Sequence, residues 1–410
     1  MAQFNYQGQL DAMNSIHFEF ISQMLKEKGF EPDTVNVAAV GKLGDNYLSI
    51  VKRLTIKDFS FIAKIASTTP IIREKMKTAK VFLNETLVYD IMLPKFEEYQ
   101  KFIGIERPLR YAECYGILKD ENEIILLEDL NAAGYNILNR LEPLTDECIR
   151  LVLKDFALLH SLSFVMKKRD PEIFNHLSSQ LTSLWDTFDD MFKAGMTMVE
   201  DQLMKVLDNE EFKEKVKGLI LTALPLYPEY EKRDSDAGKG VLIQGDAWTN
   251  NLLFKIENDK PTECIMIDYQ QTRQSNLLTD INYLIFNCSD YETRSKNFHN
   301  WINFYYKEFT KNLAAFNMDS DEVYPRENLD SDLRVYAKLS LATGLIFNTF
   351  ILRESEEVFD FQKEMENNKD IQVDELLEKA NAMTLAERTK LRLKDRVTGL
   401  IQSFVDLGLI

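Results

Sequence analysis

Apolar and polar residues follow different periods in the two parts of the chain, and this difference predicts an α+β protein. Before residue 130, short apolar runs separated by turns predict strands at Val35–Val40, Tyr47–Leu54 and Phe59–Ala66. Two more strands are predicted at Leu109–Leu118 and Glu123–Leu127. We therefore expect a five-stranded antiparallel sheet, accompanied by a helix over residues 14–30 and another over about Ile72–Met92.

The pattern becomes helical after the sheet. Thr145-Asp146-Glu147 predicts the start of a helix that runs to about Met166. Further helices are predicted over residues 277–289, 293–316, 326–352 and 372–408. Because 410 residues exceed what one core usually holds, we predict two lobes: 1–130 with the sheet, and 131–410, mainly helical.

Composition excludes several classes of partner. The 49 basic and 66 acidic residues give a net charge of −17, which argues against nucleic acid or an anionic membrane. Met1–Met13 lacks the pattern of a signal peptide, and the longest apolar run, Leu339–Leu352, is too short and too interrupted for membrane insertion. The four cysteines are scattered, as in a reduced cytoplasmic protein. The oligomeric state is not indicated.

The stretch from residue 241 to residue 270 carries the clearest chemical pattern. An apolar strand precedes Asp246, Asn251 follows five residues later, and a predicted hairpin then leads to Asp268. Phosphoryl transfer as in protein kinases needs such a spacing, with Asp246 taking the hydroxyl proton and Asn251 and Asp268 holding Mg²⁺ on the phosphates of ATP. Asp and Asn also form ordinary turns, but the flanking strand and hairpin favour the kinase interpretation.

A lysine and a glutamate in the first part of the chain complete this interpretation. Lys64 lies in the third strand between apolar residues, and Glu85 lies on the following helix. As a pair they would orient the α- and β-phosphates of ATP. An outward-facing Lys64 and a solvated Glu85 are the ordinary alternatives. His160, alone on an apolar helix face, is predicted to be a core residue.

Two loops are candidates for contacts with the nucleotide. The first contains Gly41, Gly44, Asp45 and Asn46, and its glycines would let the backbone approach phosphate, although an ordinary hairpin turn looks the same. The second, Glu128-Asp129-Leu130, follows an apolar strand, where the hinge of a two-lobed kinase would present backbone groups to adenine.

Together these residues resemble the ecdysteroid kinase-like family, within the broader group of choline kinases and aminoglycoside phosphotransferases. The resemblance covers nearly the whole chain, and its most specific blocks are Gly245-Asp246-x-Trp248-x-Asn250-Asn251 and Ile267-Asp268-Tyr269-Gln270. It implies a bilobal protein-kinase-like fold, ATP and Mg²⁺, and a small-molecule hydroxyl acceptor such as a steroid alcohol. It also implies that Asp280 steadies the loop around Asp246, although Asp280 could instead be a helix N-cap.

One position departs from the family pattern. The family usually has His before Gly-Asp, and this chain has Gln244. The Gln amide both donates and accepts hydrogen bonds, so it can brace the loop as well. Two alternatives to a steroid kinase remain open: a choline- or ethanolamine-type kinase, and a catalytically impaired nucleotide-binding regulatory protein.

Overall fold

The computed structural model describes residues 3–42, 49–67, 73, 78–105, 107–183, 190–368, 371, 373–381 and 383–410. Over these residues the chain has the predicted α+β fold: one larger sheet lies near its beginning, and helices dominate the remainder. The lobe boundary between residues 130 and 131 stays a prediction.

The strands are numbered in chain order. They are β1 (Asn5–Gly8), β2 (Thr34–Ala39), β3 (Ile50–Ile56), β4 (Phe59–Ile65), β5 (Cys114–Leu118), β6 (Ile124–Glu128), β7 (Tyr135–Ile137), β8 (Val241–Leu242), β9 (Leu252–Glu257), β10 (Lys260–Met266) and β11 (Gln274–Ser275). The α-helices are numbered in the same way. They are α1 (Ser15–Glu27), α2 (Thr78–Leu87), α3 (Leu93–Ile103), α4 (Asp146–Arg169), α5 (Pro171–Gln180), α6 (Asp190–Val206), α7 (Glu210–Val216), α8 (Leu219–Ala223), α9 (Tyr227–Asp236), α10 (Leu278–Cys288), α11 (Tyr291–Ala315), α12 (Ser320–Val323), α13 (Arg326–Val335), α14 (Ala337–Ile351), α15 (Phe361–Asn367), α16 (Val373–Asn381) and α17 (Glu387–Asp406).

The larger sheet has the order β1-β2-β3-β4-β6-β5 within the described residues. The prediction of five antiparallel strands was wrong by one strand, because β1 adds to the edge and runs parallel to β2. β1 is short and mostly exposed, so it lacks the alternating apolar pattern by which the other strands were found. The remaining neighbouring strands pair antiparallel, as expected.

The two faces of this sheet contact different parts of the molecule. Leu54, Phe61 and Leu126 pack with α1 in a smaller hydrophobic core, whereas Ile125 belongs to the larger core that extends into the helical part. Side chains alternate between the faces of a strand, and Lys64 is paired with Ile125 in the β4–β6 register. Lys64 therefore lies on the face opposite α1.

Three predicted helices have different boundaries from those expected. The helix predicted over Ile72–Met92 is described from Thr78 and continues through a π-helical turn, Val88–Met92, into α3. The helix predicted over 326–352 is divided at Tyr336 into α13 and α14, and the one predicted over 372–408 is divided into α16 and α17. A continuous helical pattern does not reveal such breaks, because both segments bury apolar residues at the same spacing.

Two small sheets contain the strands within and next to the stretch from residue 241 to residue 270. β9 and β10 form the predicted hairpin, to which β7 adds a third strand, and β8 pairs antiparallel with β11. The four cysteines are free thiols, as predicted, and three of them are buried. None of the described helices has the length and apolar character needed to cross a membrane.

Candidate active site

Asp246 lies in a loop between β8 and a 3₁₀ turn, Thr249–Asn251. Gly245 immediately precedes it and has a positive φ of 88°. A Cβ atom at this position would lie 2.2 Å from the Gln271 carbonyl oxygen. Only glycine fits, because any side chain would be strained and would collide with backbone. This close approach holds the loop against the segment that follows Asp268.

The carboxylate of Asp280 fixes the backbone of the same loop. Its two oxygens accept the N–H groups of Gln244 and Gly245, each at 2.8 Å. Asp280 lies in the first turn of α10, whose N-cap is Leu277, so it is not the N-cap residue. His160 is fully buried, as predicted, and its ring nitrogens lie 3.1 Å from Asp280 Oδ2 and 2.9 Å from Tyr305 Oη. His160 thereby contacts the same Asp280 carboxylate that accepts the two N–H groups of the loop.

Gln244 connects this loop with the segment that carries Asp268. Its Nε2 donates to the carbonyl oxygens of Ile267 and Asp268, at 2.9 and 3.0 Å. Its Oε1 accepts the Asp246 N–H at 2.6 Å. The side chain is completely buried, so each of these bonds is made without competition from solvent. Gln244 therefore braces the loop, as the sequence predicted for an amide at this position.

Both carboxylate oxygens of Asp246 accept hydrogen bonds. Tyr283 Oη donates to Oδ1 at 2.6 Å, and Asn251 Nδ2 donates to Oδ2 at 3.1 Å. Burial and the charge of Asp268 raise the pKa of Asp246 to about 8, against the lowering effect of the Tyr283 hydrogen bond. A raised pKa makes the ionised Asp246 carboxylate a stronger base than an exposed aspartate, as proton acceptance from a substrate requires.

Lys64, Glu85 and Asp268 form one charged cluster. Lys64 Nζ lies 2.5 Å from Glu85 Oε2 and 2.8 Å from Asp268 Oδ1. Burial lowers the pKa of Lys64, but the two carboxylates outweigh this effect and the pKa lies above its usual value. Burial also raises the pKa of Glu85, which the Lys64 ammonium opposes. The predicted pairing of Lys64 with Glu85 is thus present, and neither outward-facing alternative holds.

Asp268 and Asn251 provide oxygen atoms suitable for a hard cation. Asp268 has a positive φ of 59°, which is rare for a residue with a side chain and indicates local strain. The amide nitrogen of Asn251 donates to Asp246, so its amide oxygen is the atom left to face a cation. Carboxylate and amide oxygens fit Mg²⁺. Within the described residues no group of three or more His, Cys, Asp or Glu could hold a metal ion alone.

The predicted nucleotide loops are described only in part. Gly44, Asp45 and Asn46 lie outside the described residues, and Gly41 has a positive φ of 85°. In the predicted hinge, Asp129 uses its carboxylate to bind Arg53 Nε at 2.7 Å. Backbone groups of the hinge are also bonded within the chain: Glu128 N–H donates to the Glu113 carbonyl, and the Leu130 carbonyl accepts from Ala133 and Tyr135. The expected contact between backbone groups of residues 128–130 and adenine stays a prediction.

A cavity of about 740 Å³ opens beside Asp246. Most of its wall is apolar, with aromatic side chains from four helices, among them Phe192, Phe347 and Phe350. Asp246 is the only carboxylate among the lining side chains of the described residues. The cationic side chains in the wall are Lys205, Arg273, Arg353 and Lys390. The candidate proton acceptor therefore faces a space suited to an apolar molecule.

Sequence reasoning missed two residues that contact this site. Tyr283 follows Asp280 by one helical turn, and that spacing on one face of α10 was the available signal. Asn84 precedes Glu85 and bonds the backbone of Thr182 and Gln270. No pattern in the sequence links Asn84 to partners about 100 and 190 residues away.

The sheet, the hairpin and the charged cluster beside the Asp246 loop define a kinase-like phosphotransferase. The sequence matches the model of the ecdysteroid kinase-like family over residues 43–318, roughly two thirds of its length, and the chain belongs to that family. The family named from the sequence is therefore confirmed, whereas its link to choline kinases stays a prediction. Among curated proteins, none matches the chain.

Several solved structures resemble the fold at low identity. One is the spectinomycin phosphotransferase APH(9)-Ia in complex with ADP and spectinomycin, with 10% identity, a TM-score of 0.41, and coverage of 90% of this chain and 92% of that chain. Another is a putative aminoglycoside phosphotransferase from Ralstonia eutropha JMP134, with 10% identity, a TM-score of 0.42, and coverage of 94% and 98%. A third, the GDP and kanamycin complex of APH(2″)-IIIa, has 13% identity, a TM-score of 0.41, and coverage of 88% and 97%. Likeness at this level carries no argument about substrates.

Proposed function

We propose that the protein is an ATP-dependent kinase that transfers the γ-phosphate to a hydroxyl of an apolar, steroid-like alcohol. The observation that carries this proposal is the position of Asp246, which lies in the wall of the apolar cavity and is bonded by Asn251. A carboxylate at this junction lies between a space for the acceptor and the charged cluster assigned to the nucleotide.

Each residue has a defined role in this reaction. The acceptor oxygen forms a bond to the γ-phosphorus while the bond from that phosphorus to the β–γ bridging oxygen breaks, and ADP leaves with the electron pair. Asp246 orients the acceptor hydroxyl and takes its proton. Lys64, tethered by Glu85, provides positive charge beside the phosphates, and Asp280 holds the loop through Gln244 and Gly245.

Asp268 and Asn251 are the residues we assign to Mg²⁺. When bound, the ion neutralises charge on the transferring phosphoryl group and its neighbour. The contribution of the chain is to fix the two oxygen ligands relative to Asp246. The hairpin β9–β10 does so, because Asn251 directly precedes β9 and Asp268 comes two residues after β10.

The charges in the cavity wall favour an apolar acceptor over a cationic one. A choline- or ethanolamine-type acceptor carries a positive charge, and such ligands are held by carboxylates or by aromatic cages. Among the described residues, one carboxylate, Asp246, faces the cavity alongside four cationic side chains, of which Arg273 is paired with Glu231 and Lys390 with Glu387. The wall thus gives a cationic acceptor little net negative charge, whereas a neutral alcohol with a large apolar body would bury surface against the aromatic side chains.

The contacts of Gln244 argue against the impaired-enzyme alternative. Its amide makes three hydrogen bonds that join the loops of Asp246 and Asp268. The substitution of His by Gln therefore leaves a braced loop, and all groups assigned to the chemistry are retained. This combination supports an active enzyme over an impaired one.

The proposal is tested by measuring phosphate transfer from labelled ATP to a panel of steroid alcohols, simple apolar alcohols, choline and ethanolamine. We expect transfer to at least one apolar alcohol and none above background to the cationic acceptors. ATP binding without transfer to any member of the panel would instead support a regulatory protein.

The matched variant for this assay is Asp246→Asn. Asn keeps the shape of the side chain but cannot take a proton, so we expect kcat to fall roughly 10²–10⁴-fold. ATP affinity, measured by calorimetry, should stay close to that of the wild type, because Asp246 is assigned to the acceptor. Retention of the wild-type rate at saturating substrate would show that Asp246 is not the base.

A further inference from the structure

The phenol of Tyr283 lies between the acceptor cavity and the candidate base. Its hydroxyl donates to Asp246 Oδ1 at 2.6 Å, and its side chain forms part of the cavity wall. The Tyr283 ring packs edge-on against Phe347, another wall residue, with the ring centroids 4.8 Å apart and an interplanar angle of 72°. Tyr283 thus contacts both the space for the acceptor and the carboxylate that would take its proton.

Tyr283 is anchored on the same helix as Asp280. The two residues are three positions apart in α10, so their side chains lie on one face of the helix. Asp280 holds the loop backbone at Gln244 and Gly245, while Tyr283 holds the carboxylate of Asp246. One face of α10 therefore fixes both the backbone and the side chain of the loop.

We propose that Tyr283 is a positioning residue that orients Asp246 towards the bound acceptor. The inference rests on the proposed kinase function and assigns to Tyr283 a role in the turnover step. With Asn251 bonded to Oδ2 and Tyr283 to Oδ1, the carboxylate cannot rotate about its Cβ–Cγ bond without losing a hydrogen bond. Catalysis depends steeply on such orientation, because a base out of alignment does not reach the hydroxyl proton.

The Tyr283 hydroxyl acts as a hydrogen-bond donor to Asp246 and not as a base. Burial, together with the neighbouring Asp246 carboxylate, raises the pKa of Tyr283 well above its usual value. The hydroxyl therefore keeps its proton at neutral pH and does not compete with Asp246 as a base. Since Tyr283 acts through Asp246, its loss should lower kcat and leave ATP binding unchanged.

The test compares Tyr283→Phe with Tyr336→Phe. Tyr336 is a matched control, because it is also buried and donates to a carboxylate, Asp234, at 2.8 Å, but it does not line the cavity. Both variants are assayed with one accepted alcohol and ATP, and both are checked by melting temperature and by calorimetry with ATP. We expect Tyr283→Phe to lose about 10- to 100-fold in kcat with KM for ATP within twofold, and Tyr336→Phe to keep kcat.

A double variant tests whether the effect passes through Asp246. In an Asp246→Asn background, Tyr283→Phe should cause no additional loss of rate, because groups that act as a unit are not additive. If Tyr283→Phe is not fully folded at the assay temperature, both Phe variants and the wild type are compared at a lower temperature, at which their melting curves show all three to be folded.

The outcomes separate this inference from the proposed function. An active wild type with equal kcat in Tyr283→Phe and Tyr336→Phe overturns the role of Tyr283 alone. Additive losses in the double variant overturn it as well. A wild type that binds ATP but transfers phosphate to no acceptor overturns the proposed function, and the role of Tyr283 in turnover falls with it.

Discussion

Single side chains, more than regular secondary structure, hold the loop that contains Asp246. Asp280 accepts two backbone N–H groups, and Gln244 makes three hydrogen bonds with its amide. Both residues are completely buried, so an unpaired polar atom in either place would remain without a solvent partner. The geometry of the site therefore depends on a few atoms, and single substitutions test it.

Replacing Gln244 by His tests whether the departure from the family pattern matters. Imidazole can donate with one ring nitrogen and accept with the other, so it can replace most of the bracing contacts. We expect the single-turnover rate constant of Gln244→His with one accepted alcohol to lie within about fivefold of that of the wild type. Gln244→Leu, which is similar in size but makes no hydrogen bonds, should lose about 2–4 kcal/mol of stability. A hundredfold gain in the His variant would show that the native enzyme is impaired.

Asp155 should make the stability of the folded protein depend on pH, and this effect is independent of the proposed chemistry. Burial raises the pKa of Asp155 to about 7, and Arg107, whose Nη2 lies 3.6 Å from Oδ1, opposes this only in part. The folded pKa lies above the unfolded value, so the unfolded state loses its proton first as pH rises. The stability contributed by protonated Asp155 is complete below pH 4 and is lost by about pH 7.

Asp155→Asn removes this titration and keeps the side-chain shape. We expect the free energy of unfolding of the variant, relative to the wild type, to increase by roughly 1–3 kcal/mol between pH 5 and pH 8. Urea titrations at both pH values measure this difference. A difference that does not change with pH would mean that Asp155 titrates normally in the folded protein.

Secondary structure elements were predictable where one period extends over the whole element. The strands β2, β3 and β4 and the hairpin β9–β10 were found because alternation is clear and turns flank them. β1 was missed because its exposed residues carry no apolar alternation. Within the candidate site, Asp246, Asn251 and Asp268 could be predicted because they belong to one motif and lie close together in the sequence. Contacts of Tyr283 and Asn84 depend on how elements pack, which periodicity does not encode.

Asn84 illustrates how one such contact positions an element. Its Nδ2 donates to the carbonyl oxygens of Thr182 and Gln270, at 2.7 and 2.9 Å, and its Oδ1 accepts the Thr182 N–H at 3.0 Å. Glu85 is the next residue of α2, so these bonds fix the helix that pairs with Lys64. Helix α2 is thereby tied to the segment directly after Asp268.

Asn84→Ala should therefore weaken both stability and nucleotide binding. Three hydrogen bonds, one buried and two partly buried, are lost, and backbone groups are left unpaired, so we expect a decrease of about 2–4 kcal/mol in the free energy of unfolding. ATP affinity should fall several-fold because Glu85 no longer holds Lys64 in place. The control is Leu83→Ala on the same helix, whose side chain is 42% exposed. Equal ATP affinities in the two variants, measured by calorimetry, would contradict the positioning role of Asn84.

The whole chain is acidic, whereas the described wall of the cavity contains more cationic side chains than carboxylates. We expect the wall, and not the net charge, to determine which acceptor binds. The net charge of −17 would attract cations at long range, but such attraction is screened by salt and acts outside the protein. Among the residues of the cavity wall that the structure describes, cationic side chains outnumber carboxylates, since Asp246 is the one carboxylate there. The wall combines residues from segments far apart in sequence, including Phe192, Trp248, Phe347 and Leu385. This is why composition alone could not indicate the acceptor.

Met198→Glu and Thr197→Glu distinguish the effect of the cavity wall from the effect of the overall charge. Both residues lie on α6 and both changes add one negative charge, but Met198 lines the cavity and Thr197 is exposed outside it. If the local wall selects the acceptor, Met198→Glu should lower kcat/KM for an apolar alcohol at least tenfold, because a carboxylate is costly to bury against apolar surface. The same change should raise kcat/KM for choline relative to the alcohol, while Thr197→Glu should leave both values within twofold of the wild type. Assays at saturating ATP in 50 and 300 mM salt provide the comparison, since only the long-range effect is screened. Equal effects of the two substitutions that vanish in high salt would show that the overall charge, and not the cavity wall, selects the acceptor.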